Sequence, residues 1–244
     1  MNFPAFNFAN AVKVMGLAVL VPLVGLGLWH STIGAQELLP LAIPAPTVDE
    51  PASGTSETAV FAGGCFWGVQ GVFAHVKGVT SAVSGYSGGN VANPSYEQVG
   101  SETTGHAEAV KVTFDPTQVS YGTLLQIFFS VTTDPTTLNY QGSDQGTSYR
   151  SALFVMSDEQ KKVASAYIAQ LDAAKVYPSK IVTEVTPYSN FYQAEDYHQD
   201  NATTLKVNLG YLQFYDLPKI ANLKSHYPDL WRDKPVVVFA ENAV

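Results

Sequence analysis

The stretch AVFAGGCFWGVQGVFAHVKG, residues 59–78, changes its hydrophobic pattern at a pair of glycines. Before them Ala59, Val60, Phe61 and Ala62 form a continuous apolar run, the mark of a short buried strand. Gly63 and Gly64 supply the turn that ends it. After them Phe66, Val69, Val72, Phe73 and Val76 recur at helical spacing, and the stripe stops at Lys77-Gly78. The reading is strand, tight turn, helix, with Cys65 in the first turn of the helix.

The pattern continues outward from this unit. Residues 79–86 are β-like and turn at Ser87-Gly88-Gly89-Asn90. Residues 108–114 alternate cleanly until Asp115-Pro116. Leu124, Leu125, Ile127 and Phe128 give a helix over 121–131, with Ser120 as its cap. A polar loop fills 132–149, and 152–156 is a strand. Ser157 and Gln160 form a capping-box pattern for a helix running to about Lys175, and 181–185 is a further strand. Beyond it lie the aromatic, polar stretch PYSNFYQAEDYHQD and a tail with little local pattern. Strands and helices alternate in part, so the expected class is α+β, with helices packed on one mixed sheet.

With 244 residues the chain is long enough for a sizeable core. Its net charge is −8 and it has no run of Lys and Arg, which argues against a nucleic-acid partner. Lys13 precedes an apolar run over 14–29, shorter than the ~20 residues that comfortably span a bilayer. Small residues follow at 31–35. Residues 1–35 therefore read as a signal peptide cleaved before Gln36, with an uncleaved membrane anchor as the alternative. Either way the remainder is expected outside the cytoplasm, in the periplasm or cell envelope. Residues 36–56, rich in Pro, Ser and Thr, read as a linker.

Cys65 is the only cysteine, so it forms no intrachain disulfide and belongs to no multi-cysteine metal site. The five histidines show no zinc-ligand spacing, and no bound metal or cofactor is expected. A thiol at a helix N-terminus faces free N–H groups and the positive end of the dipole, which predicts a lowered pKa. Trp67 lies about 100° round the helix from Phe66 and is placed to wall an apolar pocket beside the thiol. Period-two alternation puts Glu108 on the same face as Val110, Val112 and Phe114. A desolvated carboxyl there keeps its proton and can serve as a general acid, the alternative being a strand-end residue exposed to solvent. His106 reads as a loop histidine that hydrogen-bonds, and Tyr96, Asp144, Tyr149, Glu195 and His198 as polar loop groups.

These residues lie in segments that resemble the A-type peptide-methionine sulfoxide reductases. The matching segments are GCFWG at 64–68, GYSGG at 85–89, NPSYEQV at 93–99 and GHAEAV at 105–110. SDQGTSYRSALF at 143–154 and AEDYHQ at 194–199 complete the set, in the family's order across roughly 57–215. The resemblance implies a two-layer α/β sandwich around a mixed sheet. It makes Cys65 the nucleophile and Phe66 and Trp67 the cage for the substrate's methyl group. Glu108 becomes the acid that protonates the sulfoxide oxygen, Tyr96 and Tyr149 hydrogen-bond that oxygen, and Asp144 is a polar residue of the same site. The implied substrates are oxidised proteins or peptides carrying methionine S-sulfoxide. The implied reductant is an external thiol: a thioredoxin-like or glutaredoxin-like protein, glutathione or dithiothreitol. Many family members resolve the sulfenic acid with further cysteines near the C-terminus, and this chain has none. Residues 216–244 form an extension outside the resemblance. Two other classes remain open: a cysteine hydrolase with His106 or His198 as base, and a non-catalytic binding protein rich in aromatics.

Overall fold

The structure is a computed structural model that describes residues 42–239. The segment read as a signal peptide or anchor lies outside the described residues. Strand β1 (Glu57–Gly63) leads through the Gly63-Gly64 turn into helix α1 (Phe66–Ala74), and β2 (Val79–Ser87) follows. Helix α2 (Tyr96–Gly100) precedes β3 (Ala107–Phe114). Helix α3 (Tyr121–Ile127) continues as a π-helical turn, Phe128–Thr132. A two-residue hairpin, β4 (Tyr140–Gln141) and β5 (Asp144–Gln145), lies inside the polar loop. Then come β6 (Ser151–Val155), α4 (Asp158–Ala173), β7 (Glu184–Pro187) and β8 (Phe191–Gln193). The last elements are the short α5 (Asn201–Thr204) and α6 (Leu209–Tyr211), a π-helical turn over Leu212–Asp216, and α7 (Leu217–His226).

Six strands form one sheet in the order β7-β6-β1-β3-β2-β8. Every neighbouring pair is antiparallel except β6 and β7, so the sheet is mixed, as the alternation of elements predicts. Its helix-covered face carries the main core, where Phe61, Phe73, Leu125, Phe128, Leu153, Tyr167 and Leu223 meet. Val60, Ala62, Ala109 and Phe154 form a smaller cluster on the opposite face with Tyr188 and Phe191. The main core dominates because Phe61 of β1, Val110, Val112 and Phe114 of β3, and Leu153 of β6 point to the helices. Burial of this kind is worth roughly 25 cal/mol per Å² of apolar surface.

Several expectations need correction. Helix α1 is not a one-sided amphipathic helix: Gly68, Gln70 and Gly71 are buried along with the apolar stripe. The C-terminal segment covers that second face. A Cβ on Gly71 would stand 2.7 Å from Ile220 Cδ1 and 3.0 Å from Ala202 Cβ, so only glycine admits the approach. Trp231 stacks on His75 at 4.3 Å, and the Val236 N–H donates to the Ala74 carbonyl. The segment beyond 215 is thus packed against the helix that carries Cys65.

The stretch 42–56 has no helix or strand, as its composition predicts, yet part of it is docked. Ile43 is buried, Tyr167 donates to the Pro44 carbonyl, and Asp49 accepts from Ser120 and the Gly122 N–H. The strand expected at 181–185 begins only at Glu184, because Ile181 and Val182 are held by loop contacts to Asp172 and Pro135. The helix expected over 121–131 loses its regular spacing at Phe128. Ser120 and Ser157 both cap their helices, accepting from Thr123 and Gln160 N–H groups. The Gln160 side chain, however, accepts from the Met156 N–H rather than closing a box on Ser157. The reciprocal box among the described residues is Ser95 with Gln98, at the start of α2.

Candidate active site

Cys65 is the N-cap residue of α1 and is 8% exposed. The turn before it needs Gly64 at φ +87°, and a Cβ there would press against Gln141 at 2.7 Å. The first free N–H groups of α1 are shared between two acids. The Phe66 N–H donates to Glu108 Oε2 at 2.9 Å, and the Trp67 N–H points to the Cys65 sulfur. Glu108 reaches this point because β3 places it opposite Tyr86 on the helix-covered face, with Val110, Val112 and Phe114. Ala109 and Lys111 face the other way, where the Lys111 ammonium lies 4.8 Å from the Phe191 ring centroid.

A cavity of about 130 Å³ opens at the thiol, lined by Cys65, Phe66, Trp67, Tyr96, Glu108, Asp144, Tyr149, Asn208 and Tyr211. Every site residue expected from the sequence is therefore on one wall or another. Asn208 and Tyr211 are additions from the tail, and nothing in their local pattern marks them. A wider, open groove of about 500 Å³ runs along residues 191–196 with Asn93 and Pro94, but it holds neither the thiol nor Glu108. The thiol and the Glu108 carboxyl meet in the smaller cavity.

Each wall is braced. The Trp67 indole N–H donates to His198 Nδ1 at 3.1 Å, and the imidazole also packs on Phe66 and Tyr96, with centroids at 5.0 and 4.5 Å. Burial pushes His198 down to about 4, so the ring is neutral. Glu195 accepts from the Tyr96 N–H at 2.9 Å and from the Tyr86 hydroxyl at 2.8 Å, which fixes α2 over the site. Glu102 accepts from Thr147 and Ser148 and so holds the turn that presents Tyr149. The Tyr211 hydroxyl donates to Asp144 Oδ2. A buried network ties α1 to the segment carrying His198: Gln70 donates to Gln199 Oε1 and accepts from the Asp200 N–H.

The electrostatics divide the two central groups. Glu108 is 3% exposed, and burial pushes its carboxyl up to about 8, against the opposing pull of the Phe66 N–H. It carries its proton at neutral pH. Cys65 does not behave as the helix N-terminus alone predicts. Burial first, then the charge of Asp216 and that of Glu108 once it ionises, push the thiol well above its ordinary value, and the Trp67 N–H and Lys219 do not offset them. The dipole's influence is confined to one turn, whereas desolvation acts on the whole thiolate charge. The resting cysteine is a thiol.

The two histidines offer no base to Cys65. His106 Nδ1 accepts from the Gly89 N–H, its Nε2 pairs with the Val91 carbonyl, and neither it nor His198 lines the cavity. A buried thiol beside a protonated carboxyl and two phenols suits attack on a polar, oxygen-bearing sulfur, with a proton delivered to that oxygen.

Known proteins resemble this chain over most of its length. The profile of the peptide methionine sulfoxide reductase family matches residues 57–229. A peptide methionine sulfoxide reductase, MsrA 2, of Mesorhizobium japonicum is 56% identical over 193 residues, covering 79% of this chain and 98% of that protein. Among solved structures, methionine sulfoxide reductase A of Corynebacterium diphtheriae is similar at a TM-score of 0.54 and 32% identity, covering 70% of this chain and 85% of its own. Reduced Mxr1 from Saccharomyces cerevisiae gives a TM-score of 0.57 at 30% identity, over 66% and 91%. With the fold, the cavity and these likenesses together, the chain belongs to the peptide methionine sulfoxide reductase family and is an oxidoreductase that returns methionine sulfoxide to methionine.

Proposed function

We propose that Cys65 is the nucleophile of this reduction and Glu108 its general acid. The observation that carries this reading is that the thiol and a buried, protonated carboxyl open into one small cavity walled by Phe66 and Trp67. The two rings receive the substrate's methyl group, and the S=O oxygen turns toward Glu108, Tyr96 and Tyr149. Glu108 gives its proton to that oxygen, which makes the sulfur electrophilic. Cys65 attacks as its own proton passes to the Glu108 carboxylate. The substrate's sulfur–oxygen bond breaks, its hydroxyl is transferred to the Cys65 sulfur and methionine departs, so the cysteine is oxidised to a sulfenic acid as the sulfoxide is reduced. Asp144, held by Tyr211, keeps the rim of the cavity polar. Each sulfoxide epimer has its own enzyme class, and the A-type pattern assigns the S epimer here, free or within damaged proteins.

Because Cys65 is the only cysteine, the sulfenic acid waits for a second molecule. An external thiol attacks it, releases water and leaves a mixed disulfide, and a second thiol then restores Cys65. A thioredoxin-like or glutaredoxin-like protein or glutathione supplies those thiols in the cell. Lys13 and the apolar run that follows support export to the periplasm or cell envelope, where oxidised proteins are the substrates.

The test is turnover of a methionine sulfoxide peptide with dithiothreitol, comparing wild type with Cys65→Ser. Turnover by wild type and none by a folded Cys65→Ser supports the nucleophile. Appreciable turnover by the purified variant would refute it.

A further inference from the structure

Asp216 is out of place as a structural residue. It is fully buried, and neither carboxylate oxygen has a hydrogen-bond partner among the described residues. It stands where the π-helical turn passes directly into α7, and its side chain accepts from no helix N–H. An unpaired buried carboxylate is costly, and a leucine or asparagine would fill the position at less cost. Its position explains what the fold does not. A Cβ on Gly68, the third residue of α1, would fall 2.3 Å from Asp216 Oδ1 and 3.2 Å from Lys219 Cδ. The absent side chain makes room for both groups beside the first turn that begins at Cys65. Lys219, one turn along from Asp216, is itself 7% exposed.

We propose that Asp216 and Lys219 are positioning residues for the reaction, an opposed pair of buried charges from the C-terminal segment that decides how readily the Cys65 thiol ionises. The other groups acting on the sulfur are few. Glu108 comes from β3 and is protonated at neutral pH. Asp144 comes from the β4–β5 hairpin and is paired with Tyr211 of α6, and Tyr96 and Tyr149 are neutral phenols. From α1 itself only the Trp67 N–H bears on the sulfur. Asp216 is the leading charged influence holding the proton on the thiol, and Lys219 is the cation that works the other way. Burial pushes Asp216 itself up to about 7, so it changes charge near neutral pH. Protonation of Asp216 leaves Lys219 unopposed and frees the thiol to ionise. The segment beyond residue 215 thereby acts on the reaction without touching substrate.

The proposal rests on Cys65 being the nucleophile, but its test needs no substrate. With a single cysteine in the chain, iodoacetamide alkylation of the full-length protein reads Cys65 alone. Rates are taken across pH for wild type, Asp216→Asn, Lys219→Met and Lys219→Arg. Asp216→Asn should alkylate several-fold faster at neutral pH, with its profile displaced to lower pH. Lys219→Met should alkylate several-fold slower, displaced to higher pH, and Lys219→Arg should follow wild type. Loosened packing would move both neutral variants toward faster alkylation, so opposite directions separate the charge effect from a structural one. Coincident profiles for all four proteins, or displacement of both neutral variants in one direction, would overturn the proposal. If Asp216→Asn does not fold, slower alkylation by Lys219→Met and its absence in Lys219→Arg decide the matter. Ordinary sulfoxide turnover with unmoved profiles would refute this pair alone. Moved profiles without sulfoxide turnover would refute the reductase mechanism alone.

Discussion

Replacing Glu108 with glutamine tests the general acid and the burial that protects its proton. The glutamine side chain keeps the shape, and its amide oxygen can still accept the Phe66 N–H that Glu108 Oε2 accepts at 2.9 Å. What changes is the proton. Glu108 stands at about 8 in the folded protein against an ordinary 4.5. A carboxyl raised on folding costs nothing below pH 4.5, where both states hold the proton. Above that the unfolded chain releases it and the folded protein cannot, so stability falls until the pH passes about 8. At about 1.4 kcal/mol per pH unit inside that window, wild type should lose roughly 2–3 kcal/mol between about pH 5 and pH 7 through this residue. Glu108→Gln does not share that loss, and every other titrating group is common to both proteins.

The assay is urea denaturation of the two proteins at about pH 5 and pH 7. The stability gap between them should widen by about 2–3 kcal/mol in favour of the glutamine variant. Single-turnover reduction by the same variant should be slower by ~10²–10⁴-fold, since an amide supplies no proton. Wild-type rates should fall as pH rises through about 8. Parallel stability curves would show that Glu108 is not held protonated by burial. A single-turnover rate within a few-fold of wild type would show that the proton comes from another group.

Two more outcomes follow from the same geometry. One equivalent of methionine sulfoxide without reductant should yield one methionine and one Cys65 that reacts with a sulfenic-acid trap, and mass spectrometry should find no intrachain disulfide. Several turnovers without reductant would contradict a lone redox thiol. Gly71→Ala should lower the thermal midpoint by an amount corresponding to about 1–3 kcal/mol, because its methyl would overlap Ile220 and Ala202. An unchanged midpoint would mean that α7 is free to move away from α1.

What the chain reveals locally is what short-range physics controls. The strand–Gly-Gly–helix unit around Cys65, the serine caps at 120 and 157, and the inward face of Glu108 all follow from period and turn chemistry within a few residues. The quoted motifs carried Tyr96, Asp144 and Tyr149 to the site by resemblance, since each alone is an ordinary loop residue. Other features needed the tertiary structure, because they depend on partners roughly a hundred residues away or more. His198 braces Trp67, Glu195 fixes Tyr96 at a separation of 99 residues, and Gln199 reaches Gln70 and Ser84. Residues of the tail fill the gaps left by Gly68 and Gly71, a fit that no local pattern announces.

The acidity of Cys65 shows the division most clearly. Local sequence places a thiol at a helix N-terminus and predicts a lowered pKa. The folded protein removes water from that thiol and sets Asp216 and Glu108 beside it, and the direction reverses. A dipole is a property of one turn of chain and can be read from it. Desolvation and the field of distant charges are sums over everything packed around the sulfur, and only the completed fold assembles them.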